Sequence, residues 1–221
     1  MQLLASPQAD RPGQQFVIQG SVRGKKSFWL LMPLVFALFL LQWSCGGKRT
    51  QPDLCNCSPT EPFSTDYRTA AKHVDLPQKT PIEISVTDIL NFPLVNPQPA
   101  FDAPRSGREL NLYHVGNAFV QFARLVGSDC DVHVEISATP DKNAPRVIVE
   151  TPHMDSFCSA RHSLAAQLNA HGVIVDDAGQ EVDPPLPAQV LGLAFQDNPH
   201  ARGTPQVATL WELHPAIVTL K

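Results

Sequence analysis

The sequence DCDVHVEIS, at positions 129–137, alternates between polar and apolar side chains. Asp131, His133 and Glu135 fall on every second position, and branched apolar residues fill the positions between them. Because successive side chains of a β-strand point to opposite faces, the pattern predicts a strand with one apolar and one polar face. The apolar face is expected to fill a core. We therefore expect the polar face, with its carboxylates and imidazole, to meet solvent.

Four further segments after Arg105 have patterns typical of strands, namely ELNLYHVGNAFVQFARLVG, RVIVET, PAQVLGLAF and QVATLWELHPAIVTL. Another segment, SFCSARHSLAAQLNAHG, repeats apolar residues at spacings of three and four, which predicts a helix. Ser156 is expected to cap the N-terminus of this helix, and Gly172 is expected to end it. The order along the chain is therefore three strands, one helix and two strands.

This order predicts a mainly β (α+β) fold, an OB-like five-stranded barrel with one α-helix after the third strand. The first strand is long and contains Gly116 near its middle, as expected of a strand that bends to serve both sides of a barrel. A ferredoxin-like or other α+β sheet is the alternative, because the order of elements alone does not determine the topology.

A run of apolar residues from Phe28 to Leu41 follows a basic cluster near the N-terminus. A basic flank, an apolar run of this length and small residues after it are typical of a secretory signal. The sequence around Cys45 resembles a bacterial lipoprotein signal, in which a lipidated cysteine becomes the new N-terminus. We expect an exported protein, anchored to the membrane on the extracytoplasmic side, in the periplasm or at the cell surface. A membrane-spanning anchor is the alternative, although such segments usually need about 17–25 residues.

Proline is the outlier in the composition, with 21 of 221 residues, against a usual share of about 5%. Much of the excess lies between positions 52 and 104, which predicts an extended tether. Within it, the alternation of Ile82, Ile84 and Val86 predicts a short strand. The sequence thus divides into an N-terminal tail with a basic n-region (1–27), a hydrophobic signal or anchor helix (28–44), a Pro-rich tether (45–104) and the barrel domain (105–221).

The cysteine count fits an oxidising compartment. With Cys45 set aside for lipidation, an even number remains, namely Cys55, Cys57, Cys130 and Cys158. The first two lie in the predicted tether and are too close in sequence to pair easily, so we expect the disulfide to join Cys130 and Cys158. The CNC sequence is also compatible with a site for a soft metal ion.

The charge of the chain limits its partners. A formal net charge of -4 and a pI near 6.0 argue against a protein that coats nucleic acid, since that role needs a concentrated basic surface. The sequence contains no GxSxG nucleophile motif and no glycine-rich phosphate-binding loop. Catalysis by an activated serine and binding of nucleotide phosphates are therefore not expected.

Histidines and carboxylates recur on the predicted strands and define a candidate site for a ligand or a metal. Its residues are Asp131, His133, Glu150, His153 and His214. Histidine and carboxylate side chains are the usual ligands of zinc and other divalent ions, so a divalent metal is the candidate cofactor. The alternative is that the histidines are hydrogen-bonded structural residues and that the acids lie on the surface.

Two resemblances concern these segments. VIVETP resembles the strand that carries a catalytic acid in staphylococcal-nuclease-like proteins, which also use an OB barrel. The combination of DCDVHVEI, VIVETP with Cys158 after it, LAFQDNPHARG and WELHPAIVTL is similar to a group of exported bacterial domains of unknown function. Those domains end in a Glu-Leu-His-Pro strand. The second resemblance implies export and a compact domain but no particular activity.

Two functions are compatible with the sequence. The first is an exported, membrane-anchored, lipoprotein-like module that binds a ligand or an envelope protein. Its binding face would present Tyr113, His133, Glu150, His153 and His214. The alternative is a metal-dependent hydrolase, possibly of the phosphodiesterase or nuclease type. Its site would use Asp131, His133, Glu150 and His214.

Overall fold

The computed structural model describes residues 49–60, 66–200 and 203–221, which belong to one compact unit. The hydrophobic segment predicted at 28–44 and the lipidation site predicted at Cys45 lie outside the described residues. Within those residues, no helix is long and apolar enough to cross a membrane.

Six strands form one sheet that closes into a barrel. They are β1 (Ile82–Ile84), β2 (Leu112–Leu125), β3 (Val132–Ser137), β4 (Arg146–Thr151), β5 (Gln180–Gln196) and β6 (Val207–Leu220). Their order is β1-β2-β3-β4-β6-β5, and β5 also pairs with β2, which closes a barrel of five strands with β1 as an addition. Strands β4 and β6 run parallel to each other, whereas the other barrel pairs are antiparallel. The structure confirms the OB-like barrel.

Within the described residues, three α-helices accompany the barrel, α1 (Thr69–Lys72), α2 (Val86–Leu90) and α3 (Cys158–Ala170). Helix α3 follows the third barrel strand, as predicted, and buries Leu164 and Leu168 in the core. It begins later than predicted, because Ser156 lies in a short 3-10 turn (Asp155–Phe157) that precedes it. Ser156 is therefore not the N-cap of α3, whose capping residue makes no side-chain hydrogen bond.

Strand β2 bends because it pairs with different neighbours along its length. Its register with β5 shifts between Val115 and Ala118, on either side of Gly116. The register with both β3 and β5 shifts again between Val120 and Phe122. Such bulges bend and twist a strand, which allows one long strand to contribute to both sides of a small barrel.

The segment predicted as a tether instead packs against the barrel. We call residues 49–60 and 66–104 the extension. Leu54, Val86 and Ile89 of the extension are completely buried in the hydrophobic core. The prediction of a tether is therefore wrong for the extension, because its scattered apolar residues are buried in the core that the barrel forms.

Local sequence explains how the extension is built. The predicted short strand is confirmed at β1, which pairs in parallel with β2. It does not reach Val86, because Ser85 and Asp88 form a reciprocal capping box that starts α2. The guanidinium of Arg68 donates two hydrogen bonds of 2.7 Å to the carboxylate of Glu109, and both side chains are buried. This ion pair fixes α1 against the start of the barrel.

Both cysteines of the CNC sequence form disulfides with the barrel. Cys55 pairs with Cys158 and Cys57 pairs with Cys130, with Cα–Cα distances of 5.4 and 5.9 Å. The predicted pair between Cys130 and Cys158 is therefore wrong. The extension runs between the loop before β3 and the start of α3, so each of its cysteines meets a different barrel cysteine. Since these sulfur atoms are in disulfides, CNC does not provide thiolates for a metal ion.

Candidate functional site

Four of the five candidate residues converge on one face of the barrel. We call Asp131, His133, Glu150 and His214 the polar centre. Asp131 directly precedes β3, His133 lies on β3, Glu150 lies on β4 and His214 lies on β6. The register places His133 opposite Glu150, and the parallel pairing of β4 with β6 brings His214 to the same end. Barrel closure therefore assembles residues that are far apart in sequence.

Short contacts connect the members of the polar centre in a row. His214 Nε2 lies 3.1 Å from Asp131 Oδ2, and His214 Nδ1 lies 3.0 Å from Glu150 Oε2. The other oxygen of Glu150 lies 2.9 Å from His133 Nδ1. Glu150 thus bridges two imidazoles, and His214 bridges two carboxylates. The four residues alternate in charge when both histidines are protonated.

The polar centre is buried, contrary to the prediction that the polar face of β3 meets solvent. Asp131 and His214 have no exposed surface, and His133 is 1% exposed. Val132, Val134 and Ile136 fill the hydrophobic core, as predicted, so β3 is covered on both faces. The cover over the polar face comes from α1 of the extension and from the loop between β5 and β6.

Lys72, the last residue of α1, and His73, the residue after it, lie against this face. His73 Nε2 lies 3.6 Å from Asp131 Oδ1. Lys72 Nζ lies 3.9 Å from Asp197 Oδ1, at the start of the loop between β5 and β6. Neither residue is predictable from the sequence, because TAAKHV has no pattern that relates it to the barrel strands. The extension therefore contributes an imidazole and an ammonium group to the site.

The row of charges continues from the polar centre towards solvent. His133 Nε2 lies 3.5 Å from Glu135 Oε1. The guanidinium of Arg146 donates a hydrogen bond of 3.0 Å to the other oxygen of Glu135 and another of 3.0 Å to Glu181, which is half exposed. The backbone N–H of Thr204 donates to Glu135 as well. Each buried charge in this row therefore faces a charge of opposite sign.

Burial and ion pairing act in opposite directions on the pKa values of the polar centre. Burial favours the neutral carboxyl of Asp131, but its contacts with His214 and His73 outweigh burial and lower its pKa to about 2. The two histidines likewise hold the pKa of Glu150 well below its usual range. Burial would lower the pKa of His133 and of His214, yet their carboxylate neighbours raise both, that of His214 by more. The ionised forms are favoured throughout.

A small acidic pocket of about 250 Å³ lies beside the polar centre. Five carboxylates and two cations line it, namely Asp66, Asp129, Glu150, Asp197, Glu212, Lys72 and Arg124. Burial and the carboxylates of Asp131 and Glu150 raise the pKa of Asp129 to about 7. Burial lowers the pKa of Lys72, but the carboxylates around it more than compensate and raise it. The pocket therefore favours positive charge.

The remaining candidates occupy other positions. His153 contributes its backbone to the polar centre, because its N–H donates a hydrogen bond of 2.7 Å to Asp131 Oδ1. Its imidazole instead contacts the carbonyl oxygen of Cys55 at 3.2 Å. Tyr113 is 5% exposed and packs in the core, so it is not part of an open binding face. Of the five side chains of the predicted binding face, only His133, Glu150 and His214 therefore lie together, in the buried polar centre.

Three members of the polar centre have the geometry of a metal site. One ligand atom each from Asp131, Glu150 and His214 lies within 4.8 Å of the other two, and all three residues lie in buried surroundings. Cys55, Cys158 and His162 are also close together, but the two sulfur atoms form a disulfide and do not act as thiolate ligands.

A second, larger pocket of about 910 Å³ lies between the extension and the loop after β4. Its surface is mostly apolar and includes Ala70, Phe101 and Met154. His73 and His153 also line it. Because both histidines also contact Asp131, through the ring of one and the backbone of the other, the large pocket adjoins the polar centre.

Comparisons with protein-family models, with curated proteins and with solved structures found no match to this chain. The function therefore has to be inferred from the chemistry of the two pockets and the polar centre.

Proposed function

We propose that the protein is an exported, membrane-anchored binding module that holds a small organic molecule in the large pocket. The observation that carries this proposal is a mostly apolar pocket of about 910 Å³ with two histidines in its lining. Pockets for small molecules usually measure about 300–1,000 Å³ and combine an apolar lining with a few polar groups. The ligand would have an apolar body and a hydrogen-bonding group directed at His153.

The exposure of the lining supports this interpretation. Phe101 is 55% exposed although it is a large aromatic residue. Ala70, on α1, is exposed as well. Exposed apolar surface that is concentrated around a concavity is typical of a binding site, whereas single exposed residues are normal on any surface.

A fluorescent probe tests the binding proposal. Anilinonaphthalene sulfonate is titrated into the full chain and then displaced with a set of neutral and anionic aromatic molecules. Replacement Ala70→Trp would fill the pocket from an exposed position and should abolish probe binding without unfolding the barrel. Ala166→Trp, at an exposed position on α3, is the matched control and should bind like the wild type. Equal binding by both variants would place the probe elsewhere and contradict the proposal.

The export part of the proposal is supported by the sequence around Cys45. Replacement Cys45→Ser should abolish incorporation of a labelled fatty acid and release the chain from the membrane fraction. If the variant stays in the membrane and the wild type takes up no label, the segment 28–44 is a spanning anchor and the lipoprotein proposal is wrong.

The convergence of the polar centre favours a metal-dependent hydrolase as the second candidate function. Asp131, Glu150 and His214 would hold the metal, and Asp129 lines the adjacent acidic pocket. Hydrolysis of bis(nitrophenyl) phosphate by the full chain, measured with added Zn²⁺ or Ca²⁺, tests this function. Activity that is lost in Glu150→Gln, under conditions in which circular dichroism shows the variant folded, would support it, and no hydrolysis with either ion would contradict it.

A further inference from the structure

We infer that Asp131, Glu150 and His214 form a binding site for a divalent ion of the zinc class, with His73 as a fourth ligand. The site deepens the hydrolase candidate, on which it rests, by naming the metal class and a fourth ligand. It is independent of the proposed binding of an organic molecule, because Asp131, Glu150 and His214 do not line the large pocket. The evidence comes from the unusual position of Asp131 between two imidazoles.

One ligand atom each from Asp131, Glu150 and His214 lies within 4.8 Å of the other two. They come from the chain just before β3, from β4 and from β6, so the barrel itself fixes their positions. A histidine combined with two carboxylates is a normal ligand set for Zn²⁺, which accepts both nitrogen and oxygen donors.

The contact between Asp131 and His214 also indicates a metal ion. Their Oδ2 and Nε2 atoms are 3.1 Å apart and completely buried, yet neither atom has a hydrogen bond of acceptable geometry. Buried polar atoms in proteins are nearly always hydrogen-bonded or coordinated, because leaving them unsatisfied is costly. A metal ion that binds both atoms would satisfy them without requiring a linear N–H···O arrangement.

The orientation of the His73 ring fits its role as the fourth ligand. Its Nδ1 atom lies 3.0 Å from the carbonyl oxygen of Thr69, and a carbonyl only accepts hydrogen bonds, so Nδ1 carries the proton. Its other nitrogen, Nε2, lies 3.6 Å from Asp131 Oδ1 and so faces the proposed site. A histidine whose other nitrogen donates to a backbone carbonyl has the usual orientation of a metal ligand.

Hydrogen bonds and short contacts around the ligands hold them in position. The backbone N–H of His153 donates to Asp131 Oδ1. His133 Nδ1 lies 2.9 Å from Glu150 Oε1, and His214 Nδ1 lies 3.4 Å from Glu212 Oε1. Hydrogen-bonded partners of this kind orient metal ligands and tune their affinity. The site thus has ordered ligands and an ordered second layer.

Titration of Zn²⁺ into the full chain, after treatment with a chelator, tests the inference. Calorimetry gives the affinity, and mass spectrometry of the metal gives the stoichiometry. We expect about one Zn²⁺ per chain, because the part of the chain that the structure describes offers one such set of ligands outside the disulfides. Replacements Asp131→Asn and His214→Gln should abolish binding. His133→Gln removes a positioning residue and should weaken affinity roughly 10- to 100-fold. His171→Gln, at an exposed position after α3, is the control and should bind like the wild type.

Cobalt provides a measurement that needs no variant. Co²⁺ bound by histidine and carboxylate ligands gives ligand-field absorption without a thiolate charge-transfer band, and His73→Gln should change that spectrum. A folded wild-type chain that binds neither ion would overturn the inference, as would full retention of Zn²⁺ by folded Asp131→Asn. Probe binding in the large pocket is measured separately, so failure of the metal site does not count against the organic ligand.

Discussion

His133 on β3 lies directly opposite Glu150 on β4, with the His133 Nδ1 atom 2.9 Å from the Glu150 Oε1 atom. The second oxygen of Glu150 lies 3.0 Å from the Nδ1 atom of His214 on β6. One carboxylate therefore couples three adjacent strands. Its side chain is 12% exposed and both imidazoles are almost fully buried, so solvent compensates little for its loss.

Replacement Glu150→Gln keeps the shape of this side chain but removes its charge from between two histidines. We expect the free energy of unfolding to fall by roughly 3–5 kcal/mol, as for other buried ion pairs that lose one partner. Glu181→Gln is the control, because Glu181 also forms an ion pair but is half exposed. Its effect should stay below about 1 kcal/mol. Urea unfolding in the presence of a chelator measures both, and equal effects would contradict a stabilising role of Glu150.

The buried pair between Arg68 and Glu109 should control attachment of the extension. Arg68→Met leaves the Glu109 carboxylate buried without its guanidinium, which is expected to cost roughly 3–5 kcal/mol. Limited proteolysis should then cut the extension faster than the barrel strands. Lys142→Met removes an exposed ion pair with Asp183 and is the matched control. If the two variants are cleaved at the same rate, the Arg68 pair does not hold the extension.

Stability should decrease on the acid side because of Glu135. Burial favours its neutral form, but hydrogen bonds from His133, Thr204 and Arg146 prevail and lower its pKa to about 2. A carboxyl whose pKa is lower in the folded state stabilises the fold above its unfolded pKa, about 4.3. That stabilisation is lost as the pH falls from about 4.3 to about 2.

Melting temperatures measured by circular dichroism across this range test the effect. Replacement Glu135→Gln should lower the melting temperature at neutral pH and flatten its decline in acid. A decline as steep as that of the wild type would mean that other carboxylates account for the acid sensitivity.

The disulfide pairing can be checked directly. Digestion without reduction, followed by mass spectrometry, should yield peptides that link Cys55 with Cys158 and Cys57 with Cys130. Replacing Cys57 and Cys130 together by serine should lower the free energy of unfolding by about 2–4 kcal/mol, mainly because the unfolded chain is less constrained. A peptide that links Cys130 with Cys158 would restore the pairing expected from the sequence and contradict the structure.

The barrel can be predicted from the sequence because the pattern that specifies each strand lies within that strand. Alternation in DCDVHVEIS correctly placed Val132, Val134 and Ile136 in the core, and the three-strand, helix, two-strand order led to the OB-like topology. The same alternation could not show whether the opposite face is solvated. That depends on what covers it, and a pattern of period two contains no information about a distant segment.

The extension was mispredicted for a related reason. Its prolines and isolated apolar residues are typical of a tether, and a position such as Leu54 has no apolar periodicity around it. Two disulfides and the Arg68–Glu109 ion pair attach the extension to the barrel, and all three connect residues far apart in sequence. His73 therefore reaches the polar centre by long-range contacts that a single sequence does not reveal.

Anomalous diffraction at the zinc edge is the most direct measurement of the polar centre. Crystals of the full chain would be grown with Zn²⁺ and compared with crystals grown with a chelator. We predict one strong peak surrounded by Asp131, Glu150 and His214, with His73 Nε2 turned towards it. Peaks confined to surface histidines, with the Asp131–His214 contact unchanged, would show that the polar centre is a structural ion-pair network and not a metal site.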